Sequence, residues 1–366
     1  MTDLKLIRTI DVADLDDIAV GGAILGTGGG GDPYIGKLMA QGAIRRHGKV
    51  RLVDVDGFDD HALIAPVCMM GAPTVMTEKL PQGEEIVIAL QKLEKFLGRK
   101  VDAVLCGEAG GINSTTPFVA AAAADLPLID GDGMGRAFPE LQMTTFGMHG
   151  VSATPMVLSD DKGNSVVLET ISNRWTERLA RSATVDMGGS ALLAFYPMSG
   201  ADAKKSVVRG TLSLCADLGR KLREARSRHA DPVEAIRAAL GAEIIFNGRV
   251  KDVLRRTVGG FARGEAHIEG LDDDRGHKLR IAFQNEFLIA ERDGETIVTT
   301  PDMITLLDAE TGAPVTADAM RYGIRVVALA YPCSDQWRTP KGLELVGPRY
   351  FGYDLDFQPY VPHAAK

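Results

Sequence analysis

Two short segments concentrate the side chains able to do chemistry. In Cys106-Gly-Glu108-Ala-Gly-Gly-Ile-Asn113 a thiol, a carboxylate and a carboxamide fall close together. In Asp130-Gly-Asp132-Gly-Met-Gly-Arg136-Ala-Phe-Pro-Glu140-Leu-Gln142 carboxylates flank a guanidinium. Paired carboxylates hold a divalent cation, divide acid and base roles between them, or grip a cationic substrate. His149 follows, and imidazole is both the commonest metal ligand and the usual physiological base. Each residue has a plainer alternative. Glu108 caps a helix and Cys106 fills a core as a small hydrophobe. The aspartate segment is a solvated loop capping a helix over 136–141, and a lone histidine is structural.

A third segment is the glycine run Gly26-Thr-Gly-Gly-Gly-Gly-Asp32-Pro33. Consecutive glycines ahead of a helix present backbone N–H groups to an anion, or simply make a tight turn. The match to G-x-G-x-x-G is only literal, because a helical pattern rather than a strand precedes it. No Lys-Ser/Thr closes a phosphate loop. Further on, Asn285-Glu286 falls inside an apolar strand over 283–290 and needs polar partners. His47, His61, His229 and His363 read as surface residues, while His267 and His277 lie in or near strands without an evident role. There is no H-E-x-x-H, C-x-x-C or G-x-S-x-G.

The elements that must position these groups follow from apolar periodicity. Runs at 50–55, 62–69, 101–106 and 126–130 read as strands. A helical pattern opens at Thr9 to Asp11 and carries Leu15, Ile18, Ala19, Gly22 and Leu25 on one side. Others cover Ile35 to Met39, Glu84–Leu97 and 113–124. Strands alternating with helices give a layered α/β unit, whose ligands sit outside the carboxyl ends of the strands. Glu108 and Asp130 both fall at such ends. Beyond residue 150 come a hairpin over 156–169, helices over 172–182, 206–227 and 232–240, the last capped by Asp231, and then strands from 243 to about 330. The expected fold class is α/β: an N-terminal layered α/β domain over 1–152, a strand-rich α+β domain over 153–345, and a tail over 346–366 that packs back on the first domain.

Composition narrows the function. The 366 residues carry 41 Lys+Arg against 49 Asp+Glu, a net charge of −8, with 45% apolar and 25% charged residues. That apolar share excludes disorder as the main state, and the acidic balance disfavours nucleic acid. Four cysteines in so long a chain are no disulfide scaffold. No apolar window is long enough to span a membrane, and the first residues lack a signal-peptide layout. The expectation is a cytoplasmic protein with a small-molecule substrate, no nucleic-acid or membrane partner, and a homo-oligomeric state.

These motifs occur in a recognisable order. The glycine run, Met70-Gly-Ala-Pro with Glu78-Lys79, Glu108-x-Gly-Gly-x-Asn113 and the Asp130 to Glu140 segment are followed by Asn285-Glu286, Thr300-Pro-Asp302 and Gly347-Pro-Arg-Tyr-Phe-Gly-Tyr353. Together they closely resemble a hydantoinase-associated family linked with S-methyl thiohydantoin desulfurase. One departure is Cys106, where the family pattern leads one to expect a less reactive residue. The resemblance implies metal-dependent hydrolysis of a five-membered ring imide to a hydantoin, with sulfur leaving as a thiol or as hydrogen sulfide. Such a step fits the breakdown of thiol-bearing histidine derivatives such as ergothioneine. On that expectation a divalent metal, zinc foremost, is held among Asp130, Asp132, His149 and Cys106. Glu108, Asp132 and Glu140 are the catalytic carboxylates. Gly28, Gly29 and Gly30 offer N–H groups, while Asn113 and Arg136 hold the substrate. Rival readings are a hydantoinase-like cyclic amidohydrolase that opens the ring, a non-catalytic partner subunit of a hydantoinase or oxoprolinase assembly, and, more remotely, a nucleotide-dependent enzyme.

Overall fold

An apolar run without alternation must be covered on both faces, and the strand Leu63–Gly71 is: all but its two end residues are buried. Around it the chain builds two large sheets and one two-stranded ribbon. The computed structural model describes residues 4–71, 75, 83–258 and 261–362. Glu78, Lys79 and His363 lie outside the described residues. In chain order the strands are β1 (Leu6–Ile10), β2 (Val50–Val53), β3 (Leu63–Gly71), β4 (Ala103–Cys106), β5 (Leu128–Ile129), β6 (Gly131–Asp132), β7 (Met156–Ser159), β8 (Ser165–Leu168), β9 (Ser190–Ala194), β10 (Met198–Ser199), β11 (Val208–Arg209), β12 (Glu243–Val258), β13 (Phe261–Gly270), β14 (Lys278–Gln284), β15 (Glu286–Arg292), β16 (Glu295–Thr299), β17 (Met303–Asp308) and β18 (Arg325–Tyr331).

The first sheet runs β1-β2-β5-β4-β3-β9-β7-β8, with β10 beside β3. Its centre, β2-β5-β4-β3, is parallel, and antiparallel strands extend both edges. Alternate residues of β3 feed two cores. Val67 and Met69 pack with Leu15, Ile86, Leu90, Phe118 and Leu218 from the helices Asp14–Leu25, Glu84–Leu97, Thr116–Ala124 and Thr211–Ser227. Ile64, Cys68 and Met70 pack with Ala180 and Ala203 from Asn173–Asp186 and Gly200–Ser206. The second sheet is antiparallel, β16-β15-β14-β13-β12-β18-β17, with its own core around Phe246, Ile268, Ile281 and Phe287. The fold class is α/β with a strand-rich second half. No helix among the described residues is long and apolar enough to cross a membrane.

Several local expectations change. β1 was not legible, and the helix behind it starts at Asp14, because Thr9 and Ile10 are spent pairing with Arg51 and Val50. The helical segment expected over 113–124 begins at Thr116. No helix spans 136–141. The strand expected over 283–290 is two strands, broken at Asn285, whose φ of 60° turns the chain. The first sheet also runs past residue 152, since the hairpin β7–β8 and β9 extend its edge. The C-terminal segment straddles both halves. Tyr350 donates to Glu140 (2.7 Å), while Phe351, Tyr353 and Leu355 lie on Ala282, Leu288 and Ile289.

Candidate active site

The carboxyl ends of β3 and β4 meet the β14–β15 turn across a cavity of about 80 Å³, room for a small ring. Gly30, Cys68, Glu108, Asn113, Phe138 and Glu286 are among its walls. Glu108 stands two residues past β4 and opens onto the cavity. Asn113 aims it. The Asn113 Oδ1 accepts from Met69 N–H (2.7 Å), and its Nδ2 donates both to Met69 O (3.1 Å) and to Glu108 Oε1 (2.7 Å). An amide has two N–H bonds to give, and both are assigned. Burial pushes the Glu108 carboxyl up to about 7, against the pull of its hydrogen bonds to Asn113 and the Phe138 backbone. A carboxylate tuned to neutrality is suited to moving protons at physiological pH.

Glu286 enters from the second sheet. Its side chain is 2% exposed and lies against Gly29, where a Cβ would stand 2.0 Å from Glu286 Oε1. The other oxygen, Oε2, is buried without a hydrogen-bond partner. Asn285 pins the turn, its N–H donating to Ala262 O and its Oδ1 accepting from Ala262 N–H, each at 2.8 Å. Burial, reinforced by the charge of Glu108, holds the Glu286 carboxyl well above the usual range, and Arg136 opposes the shift. Cys68 adds a thiol that burial keeps protonated. Arg181 lines the cavity, bonded to Glu177 and to Pro139 O, its guanidinium 4.3 Å from the Phe261 ring centroid. Glu140 lines it too, accepting from Tyr350 Oη and Gln142.

Of the residues singled out from sequence, the cavity therefore gathers Glu108, Asn113, Gly30, Glu140 and the Asn285-Glu286 pair. The others are elsewhere. Asp132 faces backbone: its Oδ2 accepts from Ala109 N–H (2.7 Å) and Met134 N–H (3.2 Å), and both oxygens accept from Gly135 N–H (2.9 Å). It ties two strand-end loops together and is not among the walls of this cavity. Asp130 accepts from Ser213 N–H (2.9 Å) and Oγ (2.6 Å) at the start of the Thr211–Ser227 helix. The Cys106 thiol points to the Glu108 and Asn113 carbonyls in the core. His149 is exposed and bonded to Gln336 (2.9 Å). The four expected zinc ligands do not fit a metal ion as one set, because each is committed to a different protein partner. No group of three or more His, Cys, Asp or Glu among the described residues is placed to hold one.

Arg136 is no substrate ligand. It is fully buried, and its five N–H bonds go to Ala137 O, Pro301 O, Asp302 O, Thr27 Oγ1 and Phe287 O. It clamps the second sheet to the first. Gly28 and Gly29 are packing sites. A Cβ on Gly28 would lie 2.6 Å from the Phe287 ring, and Gly29 N–H already donates to Gly26 O. Sequence reasoning missed Cys68 and Arg181, for which no signal stood out. It left Glu286 as a pair with Asn285 in need of partners, and Glu286 Oε2 has none among the described residues.

Residues 13–170 match the S-Me-THD-like N-terminal domain, and residues 171–360 match the S-Me-THD-like C-terminal domain. A crystal structure of a protein from Chromobacterium violaceum is similar throughout, with a TM-score of 0.82 and 25% sequence identity over 97% of this chain and 100% of that one. No curated protein matches.

Proposed function

The chain belongs to the S-Me-THD-like family, and on that premise we propose that it hydrolyses the C–S bond of a cyclic thiohydantoin. The substrate is an S-methyl thiohydantoin or a thiohydantoin, and the products are a hydantoin and a thiol or hydrogen sulfide. The observation that carries this reading is Glu108, a carboxylate near neutral pKa, aimed by Asn113 into a cavity the size of a small ring. Glu108 takes a proton from water, and the water oxygen bonds to the ring carbon that bears sulfur. The C–S bond then breaks, and the departing thiolate takes the proton from Glu108, which returns to its starting state. Met69, Met70, Phe138 and Phe195 give the ring apolar walls. No step is drawn through a metal ion, since the expected ligands do not converge. Such a reaction belongs to the breakdown of thiol-bearing histidine derivatives.

The test is to incubate the purified protein with an S-methyl thiohydantoin and follow free thiol with a thiol reagent and hydantoin by mass. Thiol and hydantoin in equal amounts are expected, with Glu108→Gln lowering kcat by about 10²-fold or more. A ring-opened product without thiol would replace this reading with a cyclic amidohydrolase.

A further inference from the structure

A base alone leaves the reaction incomplete. When water adds to the carbon bearing sulfur, the electron pair of the ring C=N bond moves onto nitrogen, and that nitrogen needs a proton. The groups placed to give it are the side chains of the cavity wall. Cys68 is a poor source and a poor nucleophile: displacing one thiol from the ring carbon with another only regenerates a C–S bond of the same kind. Glu140 is held by Tyr350 and Gln142 at the outer part of the site. Glu286 remains. It reaches the cavity across Gly29, where only a missing side chain makes room, and its Oε2 has no hydrogen-bond partner among the described residues. The nearest cation cannot neutralise it by contact, because every N–H of Arg136 is already committed.

Resting on the proposed reaction, we infer that Glu286 is its catalytic acid, supplied by the second sheet to a base supplied by the first. Glu286 starts as the un-ionised acid and Glu108 as the carboxylate. As water attacks, Glu108 gains the water proton and Glu286 gives its proton to the ring nitrogen. In the tetrahedral adduct the new hydroxyl returns a proton to Glu286 while the C=O bond forms. The C–S bond breaks, and Glu108 hands its proton to the leaving thiolate. Atoms and charges balance, and both carboxyls are reset. The same geometry explains why the site is split between two sheets: neither half holds acid and base together.

The experiment compares wild type and Glu286→Gln on the S-methyl substrate. The amide keeps the shape of the carboxyl and an N–H to offer, but has no proton to give. The expected result is a kcat at least about 10²-fold lower with KM within about threefold, and a thermal unfolding midpoint no lower than wild type. A kcat within threefold of wild type overturns the inference, as does a loss confined to KM. If Glu286→Gln fails to fold, Glu108→Gln at the pH of the assay decides by infrared difference spectroscopy, because it removes the Glu108 band and leaves Glu286 in the cavity wall. An un-ionised carboxyl band that shifts when hydantoin binds supports the assignment, and no such band overturns it. Wild type that releases no thiol defeats the functional reading itself. Wild-type turnover with an equally active Glu286→Gln defeats only this inference.

Discussion

Glu108 and Asp132 look alike in most respects. Both follow short parallel strands of the first sheet, both sit among glycines, and burial pushes both up to about 7. They differ in what they face. The Asp132 oxygens are met by N–H groups of Ala109, Met134 and Gly135, so the carboxylate is used up in holding two loops together. Glu108 is met by the Asn113 amide and the Phe138 backbone and otherwise opens onto a cavity. A raised pKa identifies a carboxyl taken out of water; the partners decide whether it is mortar or machinery. The same contrast separates the two arginines, Arg136 with every donor committed and Arg181 in the cavity wall.

The contrast breaks hardest at Arg136. Replacing it with Lys leaves one ammonium facing five acceptors that a planar fork had satisfied. A cost of about 3–5 kcal/mol is expected, by analogy with disrupted buried ionic groups, read as a large fall in the denaturation midpoint. A variant that keeps the wild-type midpoint and loses only substrate affinity would return Arg136 to the binding site.

The two carboxyls should then part company. Asp132→Asn turns an amide N–H toward backbone N–H groups, and a cost of about 1–3 kcal/mol in stability is expected, with residual enzyme still active per folded molecule. Glu108→Gln should lose activity yet gain stability at alkaline pH. The sign follows from the raised pKa. The unfolded chain releases the Glu108 proton near 4.5 and the folded protein only near 7, so between those values the native state binds more protons. Wild-type stability therefore falls as pH rises through that window, and the glutamine variant lacks this contribution. Denaturant midpoints at about pH 5 and pH 8 check it: the gain of Glu108→Gln over wild type should grow with pH. A gap that shrinks instead would mean that the fold stabilises Glu108 as a carboxylate, against the burial that raises it.

What could be read from the sequence follows a physical line. Local periodicity placed the helices Glu84–Leu97 and Pro232–Leu240 to the residue, and put Glu108 and Asn113 beyond a strand end. It did so because helix and strand periods are properties of the chain itself. Which way a strand-end side chain turns is a property of distant partners. Asp130 is taken by Ser213, 83 residues on. Arg136 is taken by Pro301 and Asp302, and Glu286 is admitted by Gly29. The glycine run was read as an anion-facing loop or a tight turn, but what approaches Gly28 and Gly29 is the second sheet. Charge density suggested a metal centre in the Asp130 to Glu140 segment. Those charges are buried one by one, each with its own partner.

His149 sharpens the comparison from its weakest end. Of the four side chains expected to hold metal it alone is exposed, and its one side-chain hydrogen bond, to Gln336, lies at the surface. Surface substitutions away from caps and clamps change stability by less than about 0.5 kcal/mol. His149→Ala should therefore leave the unfolding midpoint, kcat and KM at wild-type values. Treating the wild type with a chelator before assay should also leave its rate unchanged. If alanine at 149 and chelation instead lower activity together, the imidazole must leave Gln336 for a metal in the working enzyme. The carboxyl pair across the cavity would then act beside an ion rather than alone.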